Sequence, residues 1–316
     1  MQKFFFIGML LLITVGNAAS QSCCSGGTPL TGNLGMNSME RREWLFRLSY
    51  DYNFLDDLIS ESTLLENNTR NRTTQSILLQ TSYGISNKWV LTALFSLVKE
   101  QQETFVLNEA SNLVSQSGFG DAFLMLQYSV VSHIKRELLV AAGPKIPIGK
   151  TDARDEVGIL LPPDLQPGSG SWDAVAGFSY REFHLLNQPQ LALNLSAGYK
   201  YSGKSSRFEG DENYRFGNEF IASLGVSKVW QLKKTTLTPA IQTIYRTTQP
   251  DVTDGFDLPS TGGEWVYLNP GLSVIPHSGI EVNIGGDIPL YRNLNGTQLS
   301  TSYRINIGVS YRIKSK

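Results

Sequence analysis

The chain has 316 residues, a formal net charge of −1, 17% charged and 41% hydrophobic residues. A near-neutral chain without a dense Lys/Arg stripe excludes a general nucleic-acid role. The slightly negative mean hydropathy excludes a bundle of membrane helices, whereas 29 Gly, 13 Tyr and 15 Phe suit strands and turns.

The N-terminus is the first organised element. Lys3 precedes an apolar run from Phe4 to Val15, and Ala18, Ala19 and Ser20 offer a small-residue cleavage site. This is the layout of a secretory signal peptide over residues 1–20, too short to span a bilayer. Cys23 and Cys24 follow. Acylation of Cys23 would want an apolar residue three positions before it, and Ser20 is not one. Adjacent cysteines form only a strained disulfide, and no nearby His or Cys completes a soft-metal site. No metal or cofactor is expected. Residues 21–41, small and polar, form an N-terminal segment that dangles in the periplasm or plugs a lumen.

From residue 42 to the C-terminus the pattern is that of a barrel. Trp44, Phe46, Leu48, Tyr50, Tyr52 and Phe54 alternate with Leu45, Arg47, Ser49, Asp51 and Asn53. One face is apolar and the other mostly polar, over about the 9–11 residues that a tilted membrane strand needs. Further strands are expected near 74–85, 89–102, 118–132, 137–149, 171–184, 190–203, 215–231, 235–248, 263–275 and 279–291. Pro239 weakens one of them. The last strand alternates Tyr303, Ile305, Ile307, Val309, Tyr311 and Ile313 with Arg304, Asn306, Gly308, Ser310 and Arg312. Two arginines on one face suit a watered lumen. The expectation is an all-β, transmembrane, antiparallel up-and-down β-barrel of about twelve strands.

The connections alternate short and long. Long ones lie near 55–73, 103–117, 150–170, 204–214, 249–262 and 292–299, as extracellular loops do; the short ones read as periplasmic turns. Trp44, Trp89, Trp172, Trp230, Trp265, Tyr291 and Tyr311 fall near strand ends, where interfacial girdles form. Asn306, Gly308, Tyr311 and Ile313 resemble the C-terminal sorting signal by which barrels enter the barrel-assembly machinery of the bacterial outer membrane, although Lys314, Ser315 and Lys316 extend past it. Outer-membrane lipid and lipopolysaccharide are then the surroundings.

Catalysis is not expected. His133, His184 and His277 sit in or beside turns of the periplasmic side, with no nucleophile motif near them. Carboxylates gather in three long loops: Asp152, Asp155, Glu156 and Asp164; Glu209, Asp211 and Glu212; Asp251, Asp254 and Asp257. They are solvated loop charge, or oxygen ligands by which calcium bridges to lipopolysaccharide. The expected lumen lining is Arg47, Asp51, Asp121, Lys145, Asp173, Arg181, Lys200, Arg215, Glu219, Arg246, Glu281, Asp287, Arg304 and Arg312. Such a mixture closes the bore by cross-barrel pairing or leaves a pore with a transverse field. The loop Leu160–Gly170, stiffened by prolines, either folds into the mouth or packs outside it.

Three stretches resemble the outer-membrane transporter family named for the meta-pathway of phenol degradation (MetA-like). These are Gly120-Asp121 through Tyr128, Gly143-Pro144-Lys145-Ile146-Pro147-Ile148-Gly149-Lys150, and Gly168-Ser169-Gly170-Ser171-Trp172-Asp173. In that family a Gly-Asp strand start precedes a Lys-x-Pro-x-Gly element and then a Gly-Ser-x-Asp strand start. Ile148 stands where Thr is usual. The resemblance implies an outer-membrane protein that admits small, often aromatic or apolar compounds. The expected function is a narrow channel or facilitator for small solutes. The alternative is a structural or adhesive barrel with a closed bore, acting through its extracellular loops.

Overall fold

The computed structural model describes residues 35–106, 109–208, 213–276 and 279–314. Eleven antiparallel strands close into one ring: β1 (Glu43–Glu61), β2 (Arg70–Gly84), β3 (Trp89–Val106), β4 (Ala122–His133), β5 (Arg136–Ile146), β6 (Asp173–Phe183), β7 (Leu191–Tyr201), β8 (Glu219–Lys228), β9 (Thr235–Thr248), β10 (Gly263–Ile275) and β11 (Ile280–Lys314). Each pairs with the next in sequence, and β11 returns to β1, so the sheet has no open edge. Closure lets every wall strand satisfy its backbone hydrogen bonds, as a lipid environment demands. β11 is 35 residues long. Its residues 282–294 pair with β10, and its residues 294–314 pair with β1.

The side-chain period of two sorts residues between the faces. On β1, Phe46, Leu48 and Tyr50 are exposed outward, while Leu45, Asp51 and Asn53 are buried inward. The C-terminal half of β11 follows suit, with Ile305, Ile307 and Val309 outside and Ser310 inside. The arrangement is inverted relative to a soluble barrel, whose apolar residues fill the interior. It is stable only where the outer face meets hydrocarbon. Six of the seven girdle aromatics lie exposed on the outer surface; Trp265 is instead fully buried. Trp44 packs on Tyr83 and Trp89 on Tyr128, each with ring centroids 4.6 Å apart.

Two stretches expected to be long loops are strand. β1 runs on to Glu61, and Thr63–Leu65 folds back against it. Glu109–Phe119 pairs with the upper part of β3. Past the apolar band both faces of a strand meet water, so the alternation that marks a membrane strand is lost while the ladder continues. Residues 292–299, also expected as a loop, lie within β11. Gly296 there has φ +60°, a left-handed conformation that glycine adopts without strain.

The signal peptide over 1–20, Cys23, Cys24 and the part of the N-terminal segment before Gly35 lie outside the described residues, as do Glu209, Asp211, Glu212 and His277.

Candidate functional site

Inward-pointing side chains line one cavity of about 650 Å³ that reaches nearly every wall strand. Its two sides differ. Leu78, Leu94, Phe123, Met125, Val175 and Ile221 make an apolar side on β2, β3, β4, β6 and β8. Arg47, Asp51, Asn283, Asp287, Arg304 and Asn306 make a polar side on β1 and β11. The bore is therefore amphipathic in cross-section.

The inward charges pair with lateral neighbours rather than across the bore. Arg304 of β11 lies 2.8 Å from Asp51 of adjoining β1 and 3.8 Å from Asp287. Glu219 of β8 lies 3.1 Å from Lys200 of β7 and 2.7 Å from Arg246 of β9. The Arg246 guanidinium also stacks 5.1 Å over the Trp265 ring. Lys145 of β5 sits 3.1 Å from Asp121, before β4, and 2.5 Å from Asp173 of β6. Pairs of this kind offset much of the desolvation of each ion and hug the wall rather than bridge the bore.

The last cluster gathers the three stretches that carry the family resemblance. Asp121 accepts hydrogen bonds from Gly149 N at 3.1 Å and from Ser169 N and Oγ at 2.9 and 2.6 Å. Lys145 donates to Ser169 Oγ, and Ser171 Oγ donates to Asp173 at 2.8 Å. Gly149 and Gly168 press backbone to backbone: a Cβ on Gly168 would lie 2.5 Å from the Gly149 carbonyl carbon. The cluster thus staples both ends of the 147–172 loop to the wall.

Between these staples the loop folds inward. Its 3-10 turn, Pro163–Leu165, brings Asp164 to 2.9 Å from Arg72 of β2. Arg72 is fully buried and also holds Glu100 of β3 at 3.1 Å. Leu161, Leu165 and Ala153 pack together against Val114, and Gln116 donates to the Leu165 carbonyl. Beside this loop stands a three-stranded cap of Tyr214–Arg215, Val252–Thr253 and Phe256–Asp257. Phe208, Tyr214 and Phe216 form its core. The Tyr214 hydroxyl donates to Asp251, which also accepts from Gly217 N at 2.7 Å. Burial pushes the Asp251 carboxyl above its ordinary range, and burial beside that carboxylate pushes the Tyr214 phenol up.

The segment before β1 enters the lumen from the other end. Met36 packs on Phe123, Met125, Leu139, Ala141 and Val175. Asn37 N donates to Gln127 Oε1 at 3.0 Å, and Gln127 Nε2 donates to the Asn37 carbonyl at 2.7 Å. Gln80 Nε2 donates to the Gly35 carbonyl at 2.9 Å. Met39 packs with Leu45 and Val90.

Of the residues expected to line the lumen, Arg47, Asp51, Arg181, Glu219, Arg246, Glu281, Asp287, Arg304 and Arg312 border the cavity. Asp121, Lys145 and Asp173 are buried beneath the loop, and Lys200 is buried against Glu219. Arg215 is placed elsewhere, in the cap sheet beyond the wall. Sequence reasoning missed Arg72, Glu100, Gln80 and the apolar lumen residues Phe123 and Met125. The strand period held the signal: Arg72 shares parity with Thr74 and Ser76, and Glu100 with Ser96. Of the sorting-signal residues, Asn306 and Gly308 border the cavity, while Tyr311 and Ile313 are exposed outside. His133 and His184 sit at the ends of β4 and β6, where the histidine reading put them. Asp164 and Asp251, read as solvated loop charge, are buried latches. Among the described residues no group of three His, Cys, Asp or Glu is placed to hold a metal ion.

A closed antiparallel wall with an apolar exterior and a charged interior defines a β-barrel of the outer-membrane type. The family described as "Putative MetA-pathway of phenol degradation" matches residues 62–287, and the chain belongs to it. No curated protein sequence matches the chain. Among solved structures, the COG4313 outer membrane channel from Pseudomonas putida F1 is similar, with a TM-score of 0.69 and 14% identity over 90% of this chain and 99% of that one. The β domain of the Bordetella autotransporter BrkA has a TM-score of 0.48 at 11% identity, covering 86% and 100% of the two chains. A Pseudomonas aeruginosa FadL homologue has a TM-score of 0.44 at 11% identity, covering 91% and 99%.

Proposed function

We propose that this protein is an outer-membrane channel or facilitator for passive entry of small solutes, those with an aromatic or apolar body included. The observation that carries the reading is the amphipathic cavity, lined from nearly every strand and not bridged by the lateral charge pairs. Small-molecule sites combine apolar surface with convergent polar groups, and this cavity offers both. The family's association with phenol degradation fits an aromatic body. The chain acts as a transporter and not as an enzyme in this reading.

The remaining parts follow. The signal peptide over 1–20 is removed on export, and 42–316 inserts into the bacterial outer membrane through the barrel-assembly machinery, guided by Asn306, Gly308, Tyr311 and Ile313. Outer-membrane lipid and lipopolysaccharide surround the finished wall. The pairing of the two halves of β11 to different neighbours supports reading them as two staves, which would take the eleven strands of the ring to the twelve expected. Residues 21–41 act as a lumen plug, which the seating of Met36 and Asn37 supports.

The inward loop and this plug also support a second reading, a closed structural or adhesive barrel working through its extracellular loops. Planar-bilayer recording on the folded protein, with solute uptake by a deletion strain, separates the two. Ohmic steps and slower uptake without the protein support the channel. Silence with unchanged uptake of every solute class supports the closed barrel.

A further inference from the structure

Among the described residues most lumen charges sit in ion pairs; Arg47 and Glu281 do not. Arg47 faces the cavity from β1, flanked by Gln80 of β2 and Ser310 of β11. Its Nε is buried without a hydrogen-bond partner, and among the described residues no carboxylate lies within ion-pair distance of it. The groups around it are engaged elsewhere. Gln80 Nε2 donates to the Gly35 carbonyl at 2.9 Å and to Ser82 Oγ at 3.1 Å. Glu281 accepts from Ser273 at 2.9 Å and from Ser310 at 3.4 Å. Arg312 donates to the Ser38 carbonyl at 3.1 Å and faces Glu43 at 3.7 Å.

Glu281 lies near enough to attract Arg47 but makes no ion pair with it, and a half-buried guanidinium whose Nε is buried without an acceptor is unfavourable unless something else completes it. What completes a planar fork of donors best is a carboxylate, held by two parallel hydrogen bonds. The surroundings fix the rest of the ligand. One ladder runs from Arg47 through Gln80 and Leu94 to Phe123. Strands lie about 4.8 Å apart, so Leu94 stands about 10 Å along the wall from Arg47. Leu78 lines the same cavity one turn of the pleat away. A carboxylate seated on Arg47 therefore has an apolar surface within the reach of one small ring or short chain.

We infer that Arg47 is a solute-binding residue, and that the solutes this lumen prefers are small monocarboxylates with an aromatic or aliphatic body. The inference deepens the channel reading and rests on it for the route, while the binding site stands on its own geometry.

The test is calorimetric titration of the folded, full-length protein in non-ionic detergent at neutral pH. The probes are benzoate and benzyl alcohol, which share a ring and differ in charge. Wild-type protein should bind benzoate more tightly than benzyl alcohol. Arg47→Gln should weaken benzoate about tenfold or more, the scale of one lost charge-assisted contact, and leave benzyl alcohol unchanged. Arg47→Lys, which keeps the charge and loses the fork, should fall between. Equal binding of both probes by wild-type protein overturns the inference, as does unaltered benzoate binding by folded Arg47→Gln. Conductance on the same preparations separates the two readings. Silence with Arg47-dependent benzoate binding removes the channel and keeps the site, whereas ohmic steps with charge-blind binding keep the channel and remove the site.

Discussion

The two ends of the lumen treat charge differently. Toward the long loops, buried ions are tied to counterions on neighbouring strands or on the inward loop: Arg72 to Glu100 and Asp164, Lys145 to Asp121 and Asp173, Glu219 to Lys200 and Arg246. Toward the short turns the pairs are looser, Arg181 to Glu137 and Arg312 to Glu43 at 3.7 Å each. Among the described residues Arg47 has no ion pair there, and what crosses its level is the neutral segment Gly35–Asn37. Paired ions are architecture, since they hold the loop and wall in one arrangement. An unpaired ion beside a cavity is available for a solute.

The largest expected effect breaks the paired end. Arg72→Met leaves Glu100 and Asp164 buried without their cation, a change worth about 3–5 kcal/mol. It should free the Pro163–Leu165 turn, read as faster proteolysis within the 147–172 loop. Next comes the seat of the inserted segment. Gln127→Ala removes both of its hydrogen bonds to Asn37 and should loosen that segment by about 1–3 kcal/mol, seen as larger or noisier conductance. The unpaired end should behave in the opposite way. Arg47→Gln relieves an uncompensated charge and should leave the heat-dependent gel mobility within about 0.5 kcal/mol of wild type, or raise it. A loss as large as that of Arg72→Met would erase the contrast between the two ends.

The smallest effect is the pH response of the cap. Burial raises the Asp251 carboxyl above its ordinary value of 3.8. A raised carboxyl favours the protonated folded state, so its contribution is fully present below the ordinary value and is lost as pH rises through the raised one. Proteolysis within 249–262 should therefore be slower in mild acid than at neutral pH once the protease's own profile is corrected for. Asp251→Asn should flatten that dependence.

The membrane band of the wall was legible because lipid outside and water inside impose strict alternation, as in Trp44 to Phe54. Above that band the signal fades. Residues 55–61 and 109–119 continue the ladder with water on their outer face, so nothing in their polarity separated strand from loop. The cap strands at 214–215 and 252–253 are two residues long and have no period at all, which is why Arg215 was read as part of the wall. The candidate lining was legible as a set of inward charges. Their pairing was not, because partners such as Arg72 and Asp164 lie 92 residues apart. Nor was the isolation of Arg47, which is a property of its neighbours' other bonds.

The most direct test of the channel claim is single-channel recording of the folded, full-length protein in a planar bilayer, with folding established by heat-dependent gel mobility. Small, ohmic conductance steps are the predicted result, since a bore narrowed by the inward loop and by Gly35–Asn37 passes ions slowly. An electrically silent bilayer carrying demonstrably folded protein would contradict it.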